Sequence, residues 1–149
     1  MDSQDKIKII GTNRKANFRF EIFEKYEAGI VLLGTEIKSL RDAKVNLQEG
    51  YAKFIGDELW LTSVNISEYK YGNINNHDPL RNRKLLLNKR EIRKIRTKLE
   101  EKGLTMIPTK IYFKGSKVKI ELGIARGKKL YDKRESIKKR EIEIKLKRL

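Results

Sequence analysis

Apolar and polar residues alternate along much of this chain with a period of two, and the alternation gives way twice to helical spacing. Phe18, Phe20 and Ile22 fall on one side of a predicted strand, with Arg19 and Glu21 on the other. Glu27-Ala28-Gly29 reads as a turn into a second, buried strand at Ile30-Val31-Leu32-Leu33, so the two runs predict a hairpin. After Gly34 a short helix is predicted over about 35–42, capped by Thr35 and carrying Ile37 and Leu40 on one face. Residues 51–55 and 58–61 flank Gly56-Asp57, a two-residue link with glycine first, which predicts a second hairpin with a type II′ turn. Its return strand carries Trp60 and is expected to continue through Val64 and Ile66.

The main helix is expected over about 89–102. Asn88 and Glu91 have capping-box spacing, Ile92, Ile95 and Leu99 form the apolar stripe, and Gly103 ends it. A third hairpin turns at Gly115-Ser116, with Ile111-Tyr112-Phe113 before it and Val118, Ile120, Leu122 and Ile124 after it. Three hairpins with one helix ahead of the last predict a mainly β fold with some α. The architecture that fits is a small antiparallel, oligonucleotide-binding (OB-like) barrel of five or six strands, its helix between the third and fourth. The barrel is expected over 13–125, after a flexible arm at 1–12, with an exposed Gly- and Asn-rich loop at 69–78.

From Arg126 the strand pattern has no partner left, and charge takes over. Residues 126–149 hold eleven Lys or Arg against four acids, a formal +7 out of +16 for the whole chain, leaving +9 for the rest. Leu130, Ile137 and Ile144 recur at helical spacing, whereas Ile142, Ile144 and Leu146 also alternate as a strand does. Neither stripe is wide enough to hold an isolated element, so this basic C-terminal tail is expected to be disordered alone and to order on an RNA-rich surface. A plain solubilising tail is the simpler reading.

A net charge of +16 with pI near 10 attracts polyanions, nucleic acid first and acidic membrane second. No stretch approaches the roughly 20 apolar residues of a membrane span, and no secretory signal opens the chain, so a cytoplasmic protein is expected. With no cysteine and a single histidine, the common zinc sites cannot be assembled from one chain, and no metal or cofactor is expected.

His77-Asp78 has the residue types for proton transfer, but a phosphohydrolase built on that pair needs further histidines. Glu27 and Glu36 have no spacing that favours acid/base work over surface ion pairs, and no phosphate-cradling glycine loop is present. Arg81, Arg83, Lys84, Lys89, Arg90, Arg93, Lys94 and Arg96 form a basic band around Leu85-Leu86-Leu87 with only Asp78 and Glu91 to balance it. That imbalance favours phosphate contact over a merely solvated face. Tyr69 and Tyr71 precede the band and Tyr131 lies in the tail; aromatic rings in basic surroundings stack on unpaired bases, while packing against the barrel is an equal reading for the first two.

Several stretches taken together resemble one family, the small protein B (SsrA-binding) proteins that accompany transfer-messenger RNA (tmRNA) in bacterial ribosome rescue. They are Asn13-Arg14-Lys15-Ala16, Tyr26-Glu27-Ala28-Gly29, the eight residues from Gly34 to Arg41, His77-Asp78-Pro79 with Arg81, Arg83-Lys84-Leu85-Leu86-Leu87, and Gly127-Lys128-Lys129 with Asp132-Lys133-Arg134. The resemblance implies a non-enzymatic barrel that grips the tRNA-like domain of tmRNA. Asn13, Glu27 and Leu86 then match family positions important for RNA binding, with Lys15, Glu36, Lys38, His77, Arg81, Arg83 and Lys84 as their neighbours. It also implies that the tail enters the decoding centre and mRNA channel of a stalled ribosome, against small-subunit rRNA. There Gly127, Lys128, Lys129, Asp132, Lys133 and Arg134 match the functional motif. Tyr131 stands where many members have histidine, which keeps an aromatic face but loses the imidazole. Elongation factor Tu with the alanyl-charged RNA is the further partner implied, in trans-translation. A structural ribosomal or general RNA-binding protein, and a small RNA-processing nuclease, are the competing readings.

Overall fold

A computed structural model of the protein describes residues 6–72 and 75–128. In chain order the elements are β1 (Ile7–Thr12), α1 (Ala16–Arg19), β2 (Phe20–Ile30), α2 (Gly34–Arg41), β3 (Val45–Asn46), β4 (Tyr51–Ile55), β5 (Glu58–Thr62) and β6 (Asn65–Ile66). They continue with β7 (Arg83–Leu86), α3 (Lys89–Leu99), β8 (Leu104–Lys114) and β9 (Lys117–Gly127). Seven strands form one antiparallel sheet in the order β1-β8-β4-β5-β7-β2-β9, and a further β8–β9 pairing closes six of them into a ring. The edge of β8 is shared, with β4 joining at Met106 and β1 running along residues 110–114. Closure removes the free edges that an open sheet would expose.

Alternation within the strands fills this ring. Leu59 and Leu61 of β5, Leu85 of β7, Met106 and Ile111 of β8, and Ile120, Leu122 and Ile124 of β9 are all buried. Leu40 of α2 and Ile95 of α3 join the same cluster, so both helices close over the barrel. A smaller core of Ala16, Ile107 and Ala125, with Phe20 and Ile22 against it, seats α1 on the other face of β8 and β9.

The second and third predicted hairpins are present. Gly56 and Gly115 both adopt positive φ (63° each) at the first turn position, as the glycine-first links require. The capping box of α3 is also present: Asn88 Oδ1 accepts from the Glu91 amide at 2.8 Å, and Gly103, at φ 85°, turns the chain into β8. The helix ends at Leu99, three residues short of the predicted limit.

Four expectations are corrected. The first hairpin does not exist, because β2 runs unbroken from Phe20 to Ile30 and pairs with β9 and β7. Ala28 points into the core, and Gly29 lets Leu86 lie close across the sheet; a Cβ on Gly29 would come within 3.3 Å of the Leu86 Cβ. The arm is strand from Ile7 onward, paired with β8, although it is only half covered. The strand expected to pass through Val64 and Ile66 stops at Thr62, where Ser63 is left-handed (φ 60°), and Asn65–Ile66 pairs with β3 in a separate two-stranded sheet. Finally, β7 was hidden within the basic band, which puts α3 one strand later in the barrel than predicted.

Candidate nucleic-acid interface

Strand alternation places Glu27 and Leu86 together on the outside of the barrel. In β2 the inward Ala28 is flanked by Glu27 and Gly29, and Gly29 lies opposite Leu86 of β7. Leu86 is half exposed, an apolar ledge with an ionised acceptor beside it. The Glu27 carboxylate accepts the Tyr112 hydroxyl on Oε2 and Lys114 Nζ on Oε1 at 3.1 Å. The Tyr112 bond is the main reason that Glu27 titrates below its ordinary value, with Lys114 and Lys119 adding to it. Burial, and then Glu27 itself, drive the Tyr112 phenol far up, so it remains a donor. Register puts Lys119 opposite both Gly29 and Tyr112, completing a surface made by β2, β7, β8 and β9. The face offers one fixed acceptor, an apolar ledge and a rim of lysines.

Glu36, Arg81, Arg83 and His77 form a second group, directed inward. Glu36 is fully buried: Oε1 accepts from Arg81 Nη2 at 2.6 Å and from the Leu33 amide at 2.8 Å, and Oε2 accepts from Arg83 Nε at 2.5 Å. Arg83, also fully buried, donates its remaining fork to the Val64 carbonyl at 2.7 Å and the Pro79 carbonyl at 3.1 Å. Burial pushes the Glu36 carboxyl up, but the hydrogen bonds from Arg81, Leu33 and Arg83 outweigh it and hold its pKa below the ordinary value. His77 is buried against α2, its Nδ1 2.9 Å from the Thr35 hydroxyl and its Nε2 2.8 Å from the Ile66 carbonyl. A carbonyl can only accept, so Nε2 carries the proton and the Thr35 hydroxyl donates to Nδ1. Thr35 is thus occupied away from the helix end, and the Glu36 carboxylate meets the Leu33 amide in its place. These four residues pin α2 to the loop before β7.

The other predicted residues are scattered. Asn13 is pinned at the bulge of β8, its amide donating to Thr109 at 2.8 Å and its Nδ2 to Pro108 at 3.0 Å. Lys15 is exposed at the start of α1. Lys38 extends from α2 over the Tyr69 ring, 5.3 Å from its centroid, and Tyr69 meets Tyr71 edge-on at 5.6 Å. Lys84 is ion-paired with Glu58 across the β5–β7 pairing. Gly127 ends β9 and the Lys128 amide donates to Arg19 at 2.9 Å, whereas Lys129, Tyr131, Asp132, Lys133 and Arg134 lie outside the described residues.

Tyr112, Lys114 and Lys119 escaped the reading of the sequence, although they hold Glu27 in place. Their signal was the alternation around the third hairpin, where an inward Ile111 and Ile120 turn Tyr112 and Lys119 to the opposite side of the sheet, Tyr112 still covered by its neighbours. What the alternation could not supply was the partner strand, which lies more than 80 residues earlier.

A small closed antiparallel barrel, helix-capped and basic, with an apolar ledge and fixed hydrogen-bonding groups on its outer wall, defines an oligonucleotide-binding protein. The sequence matches the family model described as SmpB protein over residues 10–149. It is 55% identical over 138 residues to the SsrA-binding protein of Thermosynechococcus vestitus, covering 92% of this chain and 91% of the relative. To that of Ligilactobacillus salivarius it is 50% identical over 146 residues, covering 98% and 94%. Among solved structures, a chain described with the words "tmRNA-SmpB: a journey to the center of the bacterial ribosome" superposes with a TM-score of 0.71 at 47% identity, over 85% of this chain and 93% of that one. The chain belongs to the SmpB, or SsrA-binding, family.

Proposed function

We propose that this protein is a non-enzymatic RNA-binding adaptor of trans-translation. The barrel body binds the tRNA-like domain of tmRNA and brings it to stalled ribosomes, and the basic segment 126–149 works in the decoding centre and mRNA channel. The observation that carries this reading is its close likeness, in sequence and in fold, to the chain described with tmRNA at the centre of the ribosome. The Glu27–Leu86 face supports it locally: an apolar ledge takes the flat side of an unpaired base, a carboxylate accepts from a base edge, and lysines at the rim meet phosphates. Arg14 and Lys15 beside the pinned Asn13 add cations for the same RNA. Elongation factor Tu carrying the alanyl end of the RNA is the third member of the complex, and the cytoplasm is where it forms. A nuclease role has little to work with, since both ring nitrogens of His77 are committed to internal partners.

Two variants and one truncation test this. Glu27→Ala and Leu86→Asp are expected to weaken binding of the isolated tRNA-like domain about tenfold, the order of a lost hydrogen bond or a charge placed on an apolar contact. Removal of residues 127–149 is expected to leave that binding largely intact while abolishing peptide tagging on stalled ribosomes. Unchanged affinity in both point variants would take the face out of the site; loss of RNA binding on truncation would undo the division into body and tail. Cleavage of labelled structured RNA in the presence of a divalent metal would overturn the adaptor reading.

A further inference from the structure

The first strand carries two apolar side chains that the fold leaves uncovered. Ile7 and Ile9, two apart on β1, are 56% and 55% exposed, although strand formation asks only for a β-branched residue there and not for an apolar one. Lys8, between them, turns to the other side of the sheet with Phe113, and Ile10 packs against the core. Among the described residues β1 pairs with β8 alone, so its outer edge is free as well.

Register fixes the direction in which these two side chains face. Cross-strand partners share a side of the sheet, and one row runs through Leu86, Gly29, Lys119, Tyr112 and Ile9, across β7, β2, β9, β8 and β1. The neighbouring row starts at Ile7 and continues through Lys114 to Lys117. Ile7 and Ile9 therefore stand on the same wall as Glu27 and Leu86, at its far end, beyond Tyr112 and the lysines. Ile9 and Leu86 are four strand spacings apart, about 19 Å along the sheet, which is wider than any base. The wall thus has two separate apolar ledges with cations between them.

The lysines also narrow the choice of occupant. A second copy of the chain, paired edge to edge, would meet them directly: the antiparallel register that sets Ile7 opposite Ile9 also sets Lys8 opposite Lys8. RNA meets the same lysines with phosphates, on a wall that already presents Glu27 and Leu86 to it.

We propose that β1 is part of the RNA-binding wall. A second unpaired base of the tRNA-like domain rests on Ile7 and Ile9, and the backbone between the two bases crosses Lys119. This deepens the reading of the Glu27–Leu86 face and rests on it.

The test uses full-length protein carrying Ile7→Thr and Ile9→Thr together, which keep the β-branched shape of a strand and lose the apolar surface, with circular dichroism melts to establish folding. The conservative pair Ile7→Val with Ile9→Val, and Lys8→Gln on the opposite side of the strand, are the controls. Affinity of the double threonine variant for the isolated tRNA-like domain is expected to fall about tenfold with an unchanged salt slope, since apolar contact and no phosphate contact is lost. The double valine variant is expected to stay within about threefold and Lys8→Gln within about twofold. Chemical probing of the RNA is expected to show two groups of protected unpaired bases, one freed by the double threonine variant and the other by Leu86→Asp. If the double threonine variant melts early, Ile9→Thr alone carries the same test, with a loss of about threefold and the same bases freed. Unchanged affinity and protection in the folded threonine variants would overturn the proposal. An equal loss in Lys8→Gln would overturn it too, by making the effect of β1 one of charge, and so would freeing of the same bases by the threonine variant and by Leu86→Asp. If Glu27→Ala and Leu86→Asp cost nothing while the double threonine variant costs the full tenfold, the Glu27–Leu86 reading fails and the β1 contact stands.

Discussion

Arg83 is fully buried; burial lowers the pKa of its guanidinium, and the Glu36 carboxylate beside it opposes that shift. Its guanidinium donates to Glu36 and to two carbonyls, so the fork that desolvation would otherwise penalise is satisfied within the fold. Breaking such a pair leaves a buried charge without its counterpart. Arg83→Met is therefore expected to cost about 3–5 kcal/mol, read as a lowered urea midpoint, and the double variant Arg83→Met with Glu36→Leu to lose less than the two single changes added together. The same pair sets a pH dependence. The folded carboxyl of Glu36 titrates below the ordinary 4.5, so its contribution is complete above that pH and is lost as pH falls through the lower, folded value. Urea midpoints measured at pH 5 and pH 3 are expected to drop more in the unmodified protein than in Glu36→Gln, whose neutral side chain has no proton to take up. Equal drops would mean that other carboxylates govern acid unfolding.

At the scale of elements, α3 stands out because its start is built from side chains that can be removed one at a time. Asn88 is exposed and its carbonyl oxygen closes the capping box, so Asn88→Ala is expected to destabilise by about 1 kcal/mol and lower the melting temperature by about 3 °C, with little change in the folded spectrum. Every signal for this helix lies within a few residues of it, and the glycine-first hairpins are equally local. That is why these elements were legible from the chain alone. β2 was not, because its partners are β9, some 90 residues later, and β7, and only that pairing explains why Ala28-Gly29 is strand rather than turn. β7 was masked by its composition: an arginine at its head, buried only because Glu36 meets it there, reads as surface until the partner is known. The site divides in the same way. Glu27 and Leu86 were reached through a family resemblance, but their supports Tyr112 and Lys114 depend on a β2–β8 proximity that no local pattern records. The inward direction of Glu36 and His77 was equally hidden, since each belongs to a stretch whose polar residues suggest a surface.

At the scale of the molecule, ring closure and charge work against each other. Residues 1–125 carry +9, and among the described residues the barrel interior is apolar apart from groups such as the Glu36–Arg83 pair, so the excess cations lie mainly on the outside and repel one another. Only a handful are offset by described ion pairs, among them Arg19–Glu49, Lys84–Glu58 and Lys110–Glu121. A surface of this kind draws much of its RNA affinity from released counterions, and that contribution has a measurable signature. If about six phosphates are neutralised, log K for the tRNA-like domain is expected to fall with log salt at a slope of about −4 to −5. The tail adds +7, and it leaves the barrel where β9 ends. Its charges change the slope only for an RNA that they touch. Titrations of full-length protein and of the protein lacking residues 127–149 are therefore expected to run parallel with the tRNA-like domain and to diverge with ribosomes, where the truncated protein gives the shallower line. A flat line in the first titration would remove electrostatics as the basis of the body's RNA binding, and divergence there would put the tail on the tRNA-like domain instead of in the decoding centre.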